Sequence, residues 1–114
     1  MSTSVHLYPR ALEKKFKAAK DPSFLEEKAN LIPFSAKVSK DLVEALEQRG
    51  FEEGKKNKLG RVFQHELWGA DALLTETGLF LSASGEGVFE ILMFGDEIAS
   101  KEIAKFDPQE GSWA

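Results

Sequence analysis

"GRVFQHELWGADALLTETGLFLSASGEGVFEILMF", residues 60–94, is where the hydrophobic pattern of the chain changes from a helical period to a period of two. Phe63, His65 and Leu67 fall on one face of an extended chain, and Val62, Gln64, Glu66 and Trp68 on the other. "ADALLTETGLFLSAS", 70–84, reads as two strands joined at Glu76-Thr77-Gly78. "GEG", 85–87, then turns the chain into "VFEILMF", its most apolar segment. Phe89, Ile91 and Met93 on one side, with Val88, Leu92, Phe94 and Glu90 on the other, predict a central strand covered on both faces for part of its length. The joints are too short for parallel crossovers, so the segment predicts an antiparallel meander of about four strands.

Upstream of it the signals are helical. Pro9 opens a pattern through Lys20 in which Tyr8, Leu12, Phe16 and Ala19 share a stripe, and His6 lies in the arm that precedes it. Asp21-Pro22 stops this helix and starts a second, which ends near Asn30 ahead of "LIPF". Residues 31–38 are compatible with an extended edge segment around Pro33. A third helix is expected from Ser39 as N-cap, with Leu42, Val43, Ala45 and Leu46 as its apolar face. Gly50 suits the left-handed position after it, and Phe51 beyond can fold back on Leu46.

Downstream, Asp96 is expected to cap a last helix that turns Ile98, Ala99, Ile103 and Phe106 inward, closed by Asp107-Pro108. Helices first, then a meander, then a helix describe an α+β domain spanning 1–114, with 107–114 a short C-terminal tail.

Composition narrows the chemistry. Cysteine is absent, which removes disulfides, thiolate metal sites and cysteine nucleophiles. No apolar run approaches the ~18 residues of a bilayer span, and "MSTSVHLYPR" lacks the pattern of a secretory signal, so a cytoplasmic protein is expected. The net charge of −4 is unevenly spread. Residues 1–20 carry +4, residues 21–54 carry −4, residues 55–66 carry +3 and residues 67–114 carry −7. Blocks of this kind are solvated faces or docking surfaces for partners of opposite charge.

Few residues offer catalysis. "HELWG", 65–69, has Gly69 where a helical zinc motif needs its second histidine, and in a strand His65 and Glu66 point to opposite faces. No metal or other cofactor is expected. His65 alternates with Phe63 and Leu67, which favours a structural histidine; as a general base it would need a carboxylate from a neighbouring strand, with Asp71 and Glu90 as suppliers. Ser82 and Ser84 precede glycines of a hairpin turn rather than a nucleophile elbow. "GKKNKLGR", 54–61, fails the phosphate-loop pattern because Arg61 follows Gly60.

Three functions follow as expectations. The first is a non-catalytic interaction protein of inhibitor or immunity type, docking a basic protein partner on an acidic surface between Asp71 and Glu110, with Asp71, Glu86, Glu90 and Trp113 as binding candidates. The second is a small-ligand protein or enzyme with a pocket near His65, Trp68 and Asp71. The third is nucleic-acid binding through the basic 55–61 loop, disfavoured by the net charge and by the lack of aromatics among Lys55, Lys56 and Lys58. No membrane partner is expected, and self-association into a homodimer stays open.

Overall fold

The computed structural model describes residues 2–20, 23–54 and 56–113. It is an α+β fold with a seven-stranded antiparallel sheet and three α-helices. The chain runs through β1 (Ser2–Pro9), α1 (Arg10–Ala19), two 3-10 turns (Phe24–Glu26 and Lys28–Asn30) and α2 (Ala36–Gln48). It continues through β2 (Glu52–Glu53), β3 (Arg61–His65), β4 (Ala70–Leu74), β5 (Leu79–Ser84), α3 (Gly87–Ile98), β6 (Ile103–Asp107) and β7 (Ser112–Trp113). The strand order is β2-β3-β4-β5-β1-β6-β7, so the first strand is inserted between β5 and β6.

Each face of the sheet has its own core, and β1 contributes to both. Val5 and Leu7 point to the larger core, where Phe63, Ala72, Leu79 and Leu81 meet Leu42 and Leu46 of α2 and Ile91 and Phe94 of α3. Tyr8 points the other way, into a smaller core with Leu12 and Phe16 of α1, Phe24, Phe80, Phe106 and Trp113. Helices α2 and α3 therefore lie on one side of the sheet, and α1 on the other.

Helix α1 forms where the pattern places it, and α2 ends where expected. Helix α1 starts after Pro9 and ends on Lys20 in left-handed conformation. Helix α2 ends in a Schellman turn: Phe51 N–H reaches the Leu46 carbonyl at 3.0 Å, Gly50 N–H reaches Glu47 at 3.1 Å, and Gly50 has φ 98°. Its start differs from expectation. The N-cap is Ser35, whose hydroxyl accepts from Val38 N–H at 3.2 Å, one turn before Ser39, and this puts Val38 on the buried stripe. The expected second helix is replaced by the two 3-10 turns; its capping residues Asp21 and Pro22 lie outside the described residues.

The meander holds through β5, but three further expectations are overturned. "STSVHLYP" is a full strand rather than an arm, because Val5 and Leu7 alternate with His6 and Tyr8 and both sets find a core. The strand beginning at Arg61 stops at His65, and Leu67 turns out to solvent, 89% exposed, instead of packing beside Phe63. Most consequentially, residues 88–94 belong to a helix and residues 103–107 to a strand, the reverse of what the apolar pattern predicts.

The physical reason lies in Gly87, Ile91 and Gly95. At a spacing of four they share one helical face, and that face is buried. A Cβ on Gly87 would lie 1.9 Å from the Trp68 carbonyl oxygen, and one on Gly95 would lie 3.0 Å from Val5 Cγ1. The two glycines let α3 press against the sheet, and a short apolar run by itself does not distinguish that helix from a buried strand.

Candidate functional site

His65 ends β3 on the larger-core face and is 7% exposed. Its Nε2–H donates to the Arg49 carbonyl at 2.7 Å, and its Nδ1 accepts from Trp68 N–H at 3.2 Å. A carbonyl on one side and an amide N–H on the other fix this tautomer. The ring stacks on Trp68, centroids 4.0 Å apart and planes 4° from parallel, and meets Phe51 edge-on at 5.2 Å. A Cβ on Gly50 would come within 2.9 Å of Nε2, so the glycine that ends α2 also makes room for the imidazole. His65 thus ties the end of α2 to the β3–β4 turn, with both nitrogens engaged.

The other members of the expected pocket divide around it. Asp71 is paired with Gln64 in the β3–β4 register, while His65 is paired with Ala70, so Asp71 points to the opposite face of the sheet. Trp68 lies in the turn after β3, under the imidazole. A shallow concavity of about 470 Å³ does open beside His65, lined by Gly50, Glu52, Glu66 and Leu67. Glu90 lies on α3 and is not a hydrogen-bond partner of His65.

The smaller core holds the second histidine and the second tryptophan. His6 meets Phe80 edge-on at 4.8 Å, and its Nδ1 and the Tyr8 hydroxyl share a hydrogen bond at 3.4 Å. Burial lowers the His6 pKa below the ordinary imidazole value and pushes the Tyr8 phenol up to about 12. Both groups are therefore held neutral. Trp113 is packed rather than free: β7 pairs with β6, and its ring lies 4.9 Å from Phe106, 5.5 Å from Phe16 and 5.9 Å from Tyr8. Its Nε1 is buried without an acceptor among the described residues.

The basic loop joins β2 to β3, and Lys55 lies outside the described residues. Asn57 closes its turn by accepting from Leu59 and Gly60 N–H at 2.8 and 3.0 Å. Arg61 is committed to Glu53 through two hydrogen bonds of 2.6 and 2.7 Å, which hold the Glu53 carboxyl below its usual range. Lys56 and Lys58 remain exposed.

The outer face of α3 brings together two of the acidic candidates. With 3.6 residues per turn, positions 86, 89, 90, 93, 96 and 97 form one stripe opposite the buried Gly87, Ile91, Phe94 and Gly95. Phe89 is 65% and Met93 47% exposed, and they sit among Glu86, Glu90, Asp96 and Glu97. Asp96 is paired with Lys105 and Glu97 with Arg49, whereas Glu86 and Glu90 form no ion pair among the described residues. Reading 88–94 as a strand hides this surface. Alternation turns Phe89, Ile91 and Met93 the same way, while a helix sends Ile91 inward and the other two outward. The signal that could have found it is the pair of glycines flanking Ile91 at helical spacing.

Among the described residues, no group of three or more His, Cys, Asp or Glu side chains is placed to hold a metal ion, and no helix is long and apolar enough to cross a membrane. No family model, no curated protein and no solved structure matches the chain.

Proposed function

We propose that this chain is a non-catalytic interaction protein that docks a basic protein on the outer face of α3. The observation that carries this reading is the exposure of Phe89 and Met93 within a stripe whose other four members are acidic. Large apolar side chains exposed side by side on a rigid element mark contact surfaces, and surrounding carboxylates select and steer a partner of opposite charge. Arg49 and Lys105 offset part of that charge, leaving Glu86 and Glu90 as its unpaired members among the described residues. An inhibitor or immunity-type protein, which masks the surface of a basic enzyme, suits such a face. The small-ligand alternative has the concavity beside His65 in its favour, but both imidazole nitrogens there are already used.

The test is affinity capture from native lysate, followed by binding kinetics of the captured basic protein against variants. Phe89→Ala with Met93→Ala is expected to weaken binding by about 30-fold or more, as truncation of a central anchor does. Glu86→Gln with Glu90→Gln is expected to lower the association rate and its salt dependence. Asp71→Asn, on the other face of the sheet, is expected to change neither. Equal binding by all variants, or capture that persists undiminished at high salt, would overturn the reading.

A further inference from the structure

A groove opens beside the end of α3. Val38, Leu42 and Ala45 of α2 face Ile98 of α3 and Ile103 of β6 across a space of about 220 Å³. Its floor is part of the larger core: Val38 and Ile103 are 7% exposed and Leu42 1%. The polar residues lining it are Asp41, Ser100 and Glu102. The Ser100 carbonyl is occupied by the Arg10 guanidinium at 2.6 and 3.1 Å, and its hydroxyl accepts from Glu102 and Ile103 N–H. Arg10 is further held by the Ile103 carbonyl and by Glu13. Asp41 and Glu102 are exposed and form no ion pair among the described residues, although Lys37 and Lys101 lie close in sequence.

An apolar floor edged by two unpaired carboxylates is complementary to one kind of side chain, a hydrocarbon stem ending in a cation. We infer that the groove receives a lysine side chain of the basic partner, its methylenes on the half-buried Ala45 and Ile98 and its ammonium at the Asp41 and Glu102 rim. This inference rests on docking at α3 and gives that docking a second anchor. Ile98 lies seven residues after Ile91, on the inward side of α3, so the groove opens beside the end of the helix rather than on its outer face. Lysine suits the site because its compact ammonium needs carboxylates nearby but no bidentate planar geometry.

The experiment uses the whole chain, at a dilution where sedimentation shows a monomer, and probes that do not need α3. N-acetyl-lysine methylamide and the neutral N-acetyl-norleucine methylamide are titrated while the methyl resonances of Val38, Leu42, Ile98 and Ile103 are followed. The lysine probe is expected to shift these methyls selectively and to bind about fivefold more tightly than norleucine, a preference lost in Asp41→Asn/Glu102→Gln. Unmoved groove methyls, an equal response to norleucine, or full binding by the double variant would each overturn the inference. Because both substituted side chains are exposed, the fold of the variant can be verified from its amide spectrum. A silent groove with α3-dependent capture defeats this inference alone; a lysine-binding groove with α3-independent capture defeats the docking reading alone.

Discussion

His6 shows how burial sets the behaviour of a single residue. Its folded pKa lies below the unfolded value of about 6.5, so between those two values the unfolded chain binds more protons. The stability this residue contributes is complete above about pH 6.5 and is lost as the pH falls through the lower folded pKa. Urea midpoints measured down through this window are expected to fall less in His6→Phe than in the parent. Tyr8 acts in the opposite direction. Its phenol is raised to about 12, so its contribution is present at neutral pH and is lost as the pH climbs from about 10 through that value. His65 carries a different kind of prediction. His65→Ala leaves the Arg49 carbonyl and the Trp68 N–H without their partner and removes the stacked ring, which should cost about 2 kcal/mol or more in urea unfolding. The inward placement of His65 was readable from its alternation with Phe63. Its partners were not, because Arg49 lies sixteen positions away at the end of another element.

At the scale of elements, α3 is decided by its glycines. Gly87→Ala forces a methyl group into the Trp68 carbonyl, and overpacking of this kind typically costs about 1–3 kcal/mol. A thermal melt is expected to show the loss in Gly87→Ala and almost none in Gly54→Ala, where the nearest atom to an added Cβ is 3.7 Å away. The same element explains the chief misreading of the sequence. Residues 88–94 are apolar apart from Glu90, so neither period stands out, and the spacing of Gly87, Ile91 and Gly95 is what reveals the buried face. Once α3 is a helix, the sheet must find its remaining strands elsewhere, and it takes them from residues 2–9 and 103–107. Where local chemistry dictates the outcome, the sequence was sufficient: the end of α2 at Gly50 and the turn at Glu76-Thr77-Gly78 form as their residues require.

For the whole molecule, the α+β class follows from the change of period at residue 60, whereas the strand order does not. Inserting β1 between β5 and β6 depends on pairings such as Val5 with Leu81 and Tyr8 with Ala104, which no local pattern encodes. The acidic candidates were likewise legible as charge but not as a surface. Glu86 and Glu90 come together on α3, Asp71 faces away across the sheet, and Trp113 is packed into the smaller core. That same sheet separates charge of opposite sign. Helix α1, with Arg10, Lys14, Lys15 and Lys17 against Glu13, covers one face; α3, with three acids and no base, covers the other. The helices on the two sides of the sheet therefore carry opposite net charge. Such a separation biases encounters before contact: the field favours approach of a cationic surface to α3 and of an anionic one to α1.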